Sequence, residues 1–564
     1  MGINMKKISY IAIAALAAFS MTGCKDFLDV QPEGTPTETT YFQNDDQAIN
    51  AIKALYAPAY DGDDLFGREL YWEQHASSQL VCGRTTGWAS TLYTLTVSGD
   101  ESPLNNCWSC CYRFAQRANW VVNRMLKKEK EQTLTEIENR SLGEAYFMRA
   151  VFHFTIAYRY GTKDQGVPFI KYEEYNDGDY DWSIPPQQET VMKNYEMIID
   201  DLEKAKARLP RYEEYGSADI GRTHQAACVG FESKVYAYWA TWDSSKWDNV
   251  IACVDELENT YGRKLQASYS DLFDVDWDWV KGKESGWWGT EYVWSFPSNG
   301  GADWTIAGPE MPGVVLENKG WGIYNGWGEF KPSLDCYNEF LKDGAGNERL
   351  TRSILEYGQE FMFNGEQRRF YSTSDVESGF QINKWMAPFA YEDFVNAGYV
   401  SHNGGGMPCA RVNWTFIRFA ECMLFRAEAY LAKGNASKAA EDINAIRARV
   451  NLPSVGNTAT WTDLWHERYC ELAFEFVSDH LADCKRWAVS GNAEIKALAI
   501  ADIEKHPDVR HYEDRSDPDS DFTVGPYLDY QSPKKVWADY KIAFPYSSNE
   551  LTKSAGKLKQ NAGY

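Results

Sequence analysis

Three carboxylates, Glu467, Glu471 and Glu475, recur every fourth residue and would share one helical face. Two carboxyl groups about 5 to 10 Å apart are what glycoside hydrolysis requires. Arg468, Lys485 and Arg486 flank this run, so structural ion pairs are the expectation rather than an acid and a base. The run Asp274-x-Asp276-x-Asp278 imitates a calcium loop, but Trp279 stands at position six and Ser285 at position twelve, where an EF-hand needs Gly and Glu. Cys107-x-x-Cys110 has the spacing of a zinc or redox pair, yet it lacks a second pair and a nearby His, so it reads as small buried hydrophobes. The eight His are dispersed, and no H-E-x-x-H, G-x-S-x-G or Walker loop occurs. Catalysis, a cofactor and a bound metal are therefore not expected.

Binding chemistry is better represented. Aromatic residues make up 15% of the chain, and eight tryptophans fall between Trp277 and Trp327, interleaved with glycines. An indole offers a large flat face with few rotors to freeze, on which the C–H face of a pyranose can lie while its hydroxyls bond to Asn, Asp, Arg or water. The candidates are Trp287 and Trp288 between Gly286 and Gly289, Asn299 and Trp304 around the Gly300-Gly301 turn, and Trp321, Tyr324 and Trp327 set among Gly320, Gly322 and Gly326. A second contribution is expected from Arg84 and Trp88 in the loop that follows Cys82. Tryptophans in helical patterns, Trp239, Trp242, Trp465 and Trp487, read as core.

The elements that must carry these rings are helical. Ala145, Met148, Phe152 and Ile156 fall on one face, as do Tyr195, Ile198, Leu202 and Ala205 before Pro210. Phe231, Val235 and Tyr238 repeat the spacing, followed by Val250, Val254, Leu257 and Tyr261. Phe416, Ala420, Met423, Ala427 and Tyr430 line one predicted helix, Gly434-Asn435 turns the chain, and Ala439, Ile443, Ile446 and Val450 line the next. A helix–turn–helix of about 35 residues with small residues at the crossing is a tetratricopeptide pattern. Between about 271 and 402 the periodicity fails over most of the length. The fold class predicted is all-α dominated: a tetratricopeptide-containing helical scaffold, mainly 112–262 and 412–490, carrying an irregular, loop-rich insertion for the ligand.

The ends and the charge bound the setting. Lys6 and Lys7 precede a 12-residue apolar run, Ile8 to Phe19, too short to span a bilayer, and the run leads to Met21-Thr22-Gly23-Cys24, which looks like a lipobox. Residues 1–23 are expected to be a lipoprotein signal peptide, 24–41 a tether lipidated at Cys24, and 42–564 a single domain. Loss of Lys6 and Lys7 would take the formal charge from −24 to −26, so nucleic acid is not an expected partner.

Four stretches carry a resemblance. The segment Cys24 to Tyr60 (CKDFLDVQPEGTPTETTYFQNDDQAINAIKALYAPAY) is similar to the mature start of SusD/RagB-family lipoproteins. So are Arg418 to Gly434 with Asn444 to Arg449 and Leu452-Pro453; Glu467-Arg468 with Glu471 to Glu475 and Asp483 to Trp487; and the terminus Phe544-Pro545, Asn549-Glu550 and Gln560 to Tyr564. His480 stands where the family usually has Arg, and the spacing from Glu475 is longer. The resemblance implies a SusD-like fold in a non-enzymatic, surface-exposed lipoprotein of the outer membrane. Such a protein captures oligosaccharides and delivers them to a SusC-like TonB-dependent transporter; some relatives take peptides instead, and a peptide-binding importer subunit is the alternative.

Overall fold

Residues 41–57, 80–83, 88–175, 186–273, 288–296, 330–363, 366–371, 376–384, 414–475, 479–527 and 535–564 are described by the computed structural model. Helix α1 (Asp45–Tyr56) comes first, then strand β1 (Val81–Gly83) and α2 (Trp88–Thr94). Two long helices follow, α3 (Ser102–Glu131) and α4 (Glu136–Tyr160). Thr135 starts α4 with a reciprocal cap: its hydroxyl accepts the Glu138 amide hydrogen while the Glu138 carboxylate accepts that of Thr135. The predicted face of α4 is buried, but so is most of its circumference, because α3 packs on one side and α5 (Val191–Lys206) on the other.

The pairing then repeats. α5 packs on α6 (Gln225–Trp239), α6 on α7 (Trp247–Asn259), and the chain returns later to extend the same stack. Between lie β2 (Tyr292–Phe296), β3 (Phe330–Pro332), α8 (Leu334–Leu341), α9 (Glu348–Ser353), β4 (Ile354–Glu356), β5 (Glu360–Phe363), β6 (Glu366–Arg369) and β7 (Phe380–Ile382). These short elements occupy the stretch in which helical periodicity fails. β8 (Trp414–Arg418) leads directly into α10 (Phe419–Ala432), which packs on α7 and on α11 (Ala436–Arg449). Gly434, at φ 77°, makes the left-handed turn between α10 and α11 that a side chain would resist. α12 (Trp461–Leu472), α13 (His480–Ala488) and α14 (Ala493–Glu504) complete the scaffold, and the hairpin β9 (Asp508–Tyr512) and β10 (Phe522–Pro526) and the short α15 (Ser548–Lys553) end the chain. Among the described residues all strands pair in two-stranded antiparallel ladders, β1–β3, β2–β8, β4–β7, β5–β6 and β9–β10.

Two expectations need correction. Phe416 belongs to β8 and not to the helix: the backbone at Arg418 is extended (φ −126°, ψ 158°) because β8 is held in a ladder with β2, and the helix starts only at Phe419. The helical tryptophans divide as well. Trp487 is buried with its N–H donating to Glu428 at 2.8 Å, whereas Trp239, Trp242 and Trp465 are half-buried. The described cysteines that are free, Cys107 and Cys110 included, are buried, as small hydrophobes should be.

Candidate functional site

Two of the ladders govern where the candidate segments begin and end. In β1–β3, Val81 lies opposite Pro332, Cys82 opposite Lys331 and Gly83 opposite Phe330. Because the pair is antiparallel, the chain that leaves β1 toward Arg84 and the chain that reaches β3 from Trp321, Tyr324 and Trp327 meet at one end of the ladder. In β2–β8, Phe296 lies opposite Trp414, so the stretch holding Asn299 and Trp304 starts beside the point at which the chain re-enters β8. The first ladder is clamped from outside: the Tyr527 hydroxyl donates to the Gly83 carbonyl at 2.9 Å, and the buried Lys331 donates to Gln381.

The named residues themselves fare differently. Arg84, Trp287, Asn299, Trp304, Trp321, Tyr324, Trp327 and Cys24 lie outside the described residues. Trp88 is the first residue of α2, so this part of the presumed loop is helical. Trp288 is only 7% exposed; its ring meets Tyr292 edge-on at 5.0 Å, and its carbonyl accepts the Tyr212 hydroxyl at 3.2 Å. The flanking glycines predict an open loop ring; the structure instead packs Trp288 against Tyr292 of β2. Gly289 follows Trp288, but the glycine beside a ring does not decide exposure when Tyr292 packs against that ring.

The other end of β2–β8 is fixed to the helices by buried charge. Arg418, the last residue of β8, bonds Glu291 at 2.7 Å, Glu471 at 2.8 Å and Glu475 at 2.7 Å. Arg449 joins Glu291 (2.7 Å) and Glu471, and Lys384 reaches Glu475 at 2.8 Å and the Ala473 carbonyl at 2.7 Å. Arg349 and Arg447 both hold Glu467, at 2.5 and 3.0 Å. Burial alone would raise the Glu471 carboxyl, but Arg449, Arg418 and Arg349 outweigh it and hold the group well below the usual carboxylate range. Lys384 goes the other way: burial lowers it to about 8 against the pull of Glu475.

These contacts rule the glutamate run out as a glycosidase pair, since its oxygens are engaged by cations. The ion-pair expectation holds, with different partners. Arg468 and Arg486 bond Asp483 instead, at 2.6 and 2.9 Å, and Arg486 also forks onto Glu428 at 2.5 and 2.6 Å. His480, in the position usually held by Arg, meets Asp502 at 2.7 Å.

Sequence reasoning missed a recurring His-x3-Cys spacing. His480, Cys484 and Asp502 bring three ligand-type atoms together, with the thiol 3.5 Å from His480 Nε2 and 3.8 Å from the Asp502 carboxylate; His466, Cys470 and Asp343 form a similar group. Both groups have the chemistry to hold a metal, and in both the polar atoms hydrogen-bond one another. Each needs an Asp from another element, which the spacing does not disclose.

Comparison with known proteins adds the family context. A family model described as "SusD family" matches residues 290–564, and another, "Starch-binding associating with outer membrane", matches residues 26–237. A SusD-like protein of Bacteroides ovatus is 24% identical over 495 residues, covering 83% of this chain and 81% of its own. The crystal structure of a SusD-like protein from Bacteroides fragilis superposes with a TM-score of 0.72 at 20% identity, covering 94% of this chain and all of that one. Surface glycan-binding protein A from Bacteroides thetaiotaomicron, solved in complex with laminarihexaose, superposes with a TM-score of 0.65 at 16% identity over 92% of this chain and 99% of its own.

Proposed function

The chain belongs to the SusD family, and from that premise we propose that it is a glycan-binding lipoprotein of the cell surface that captures oligosaccharides and passes them to a SusC-like TonB-dependent transporter. Its helical scaffold is the family's fold, and the laminarihexaose complex is of a protein with that fold. The observation that carries the reading is the register of the β1–β3 ladder. It pairs Gly83, after which the sequence continues to Arg84 and Trp88, with Phe330, which follows Trp321, Tyr324 and Trp327 in the sequence, and this supports one site built from both aromatic segments. Asn299 and Trp304 follow β2 in the sequence, and the far end of the β2–β8 ladder is tied to the helices by the buried ion pairs of Arg418. Rings on segments anchored in this way can form a stacking platform without ordering the scaffold anew on binding.

The lipobox at Cys24 supports a signal peptide over 1–23, a lipidated tether over 24–41 and one folded domain from 42 onward. Among the described residues no helix is long and apolar enough to cross a membrane. Titration calorimetry against a panel of neutral polysaccharides and a mixed peptide pool tests the ligand class. Saturable heat with at least one polysaccharide and none with peptides is the expected result; the reverse would transfer the site to the peptide-binding alternative.

A further inference from the structure

The first turns of α13 set His480 and Cys484 on one face, four residues apart, and α14 packs against α13 with Asp502 turned toward them. Both partners meet the same ring nitrogen. His480 Nε2 lies 2.7 Å from the Asp502 carboxylate and 3.5 Å from the Cys484 sulfur, and that sulfur is 3.8 Å from the carboxylate. Zinc held tetrahedrally by one sulfur, one nitrogen and one oxygen at about 2.0 to 2.3 Å sets those atoms about 3.3 to 3.7 Å apart. The two sulfur edges of the triangle are already close to that. Only the hydrogen-bonded His480–Asp502 edge must open, by about 0.6 Å, and this hydrogen bond is the one a metal would replace.

The similar group around His466 does not converge in this way. Cys470 approaches His466 Nδ1, at 4.0 Å, while Asp343 bonds the opposite nitrogen, Nε2, at 3.1 Å, and one ion cannot reach both sides of an imidazole ring. Asp343 is also held by Arg349 and Arg447, at 2.7 and 3.0 Å. At the His480 group a thiolate and a carboxylate together offset the charge of a dication, and the neutral imidazole adds none. Thiolate, imidazole and carboxylate are a donor set that suits zinc. Lys535, whose charge Asp502 and Cys484 favour, is the cation with which the metal competes. The His480 and Asp502 side chains are each 7% exposed, so the group is not sealed from solvent. Tyr469 packs edge-on against His480 at 4.9 Å between ring centres and fixes the direction of the ring.

We propose that His480, Cys484 and Asp502 form a zinc site that pins α13 to α14, with a solvent molecule in the fourth position. Binding forms one Zn–N, one Zn–S and one Zn–O bond and releases the thiol proton to solvent; the imidazole binds through Nε2 with its own proton on Nδ1. The test uses the full, untagged chain in detergent, freed of metal with a chelator and then given zinc chloride or, as a spectroscopic probe, cobalt(II) chloride alone. Elemental analysis after gel filtration should find about one zinc ion per chain. Cobalt(II) should give a thiolate-to-metal charge-transfer band together with tetrahedral d–d absorption. Cys484→Ala should lose that band, Asp502→Asn should bind zinc about tenfold or more weakly by calorimetry, and Cys470→Ala should behave as wild type. The wild-type spectrum decides the matter even where a variant fails to fold: no charge-transfer band, or no zinc retained through gel filtration, would overturn the proposal. So would the band and wild-type affinity surviving in both Cys484→Ala and Asp502→Asn.

Discussion

Gly83 lies directly opposite Phe330, so the chain leaving one strand at residue 84 and the chain arriving at residue 329 share one end of a ladder. That single register pairs two positions, each of which adjoins an aromatic segment in the sequence. If the segments form one platform, Trp304→Ala, Trp321→Ala and Trp327→Ala should each weaken glycan binding by about 1 to 3 kcal/mol, roughly five- to a hundredfold, at unchanged melting temperature. Trp288→Ala is the contrasting variant. Its ring is packed, so it should cost about 3 to 5 kcal/mol of stability. Calorimetry of binding and of unfolding on the same four proteins reads both quantities.

Arg418 bonds three buried carboxylates at the junction of β8 and α10. Arg418→Met should destabilise by about 3 to 5 kcal/mol, because Glu291, Glu471 and Glu475 lose a shared partner in a site closed to water. Chemical denaturation measures the loss, and a variant as stable as wild type would show that the network is dispensable.

Acid should weaken the fold through the same kind of pair. Burial would raise the Asp483 carboxyl, but Arg468 and Arg486 outweigh it and pull it down to about 2. A carboxyl depressed in the folded state contributes stability above its unfolded value, about 3.9, and that contribution is lost as pH falls toward 2. The melting temperature of the wild type should therefore drop between about pH 4 and pH 2 more steeply than that of Asp483→Asn, which starts lower.

Lys535 predicts a slope of the same sign in a higher pH window. It is 2% exposed, and burial lowers it to about 7 despite the pull of Asp502 and Cys484. A lysine depressed in the folded state burdens the fold below its folded pKa and releases that burden as pH rises from about 7 toward its unfolded value near 10.4. Lys535→Met should be the more stable protein at pH 6, and the gap should narrow by pH 9. Melting curves of the two proteins across that range decide it.

Cys24→Ala should free the protein from membranes. Fractionation of cells expressing each form should find the variant in the soluble fraction, and wild-type recovery with the outer membrane would count against lipidation at this residue.

The scaffold was legible because helical periodicity is local: Ala145, Met148, Phe152 and Ile156, or Ala439, Ile443 and Ile446, advertise a buried face within a few turns, and each of them is buried. The four stretches resembling the SusD family were legible for the same reason, as short motifs of neighbouring residues. The expectation of a sugar ligand rested only on composition, on segments crowded with tryptophan and glycine.

What the sequence by itself determined, then, was the helix pairs and the family, since both reside in neighbouring residues. Pairings across the chain were decided by the tertiary structure alone. Glu471 bonds Arg418, Arg449 and Arg349 rather than the adjacent Arg468, because residues on α12 face whatever the stack brings against them. Phe416 is in a strand because β2 is there to receive it, and Trp288 is core because Tyr292 packs on its ring while Tyr212 bonds its carbonyl. His153, an ordinary helical residue in sequence, is left without a partner only because Phe169 stacks on its face while both nitrogens meet no polar group of the protein. Burial and partner identity are properties of packed surfaces, and those surfaces exist only once the chain has folded.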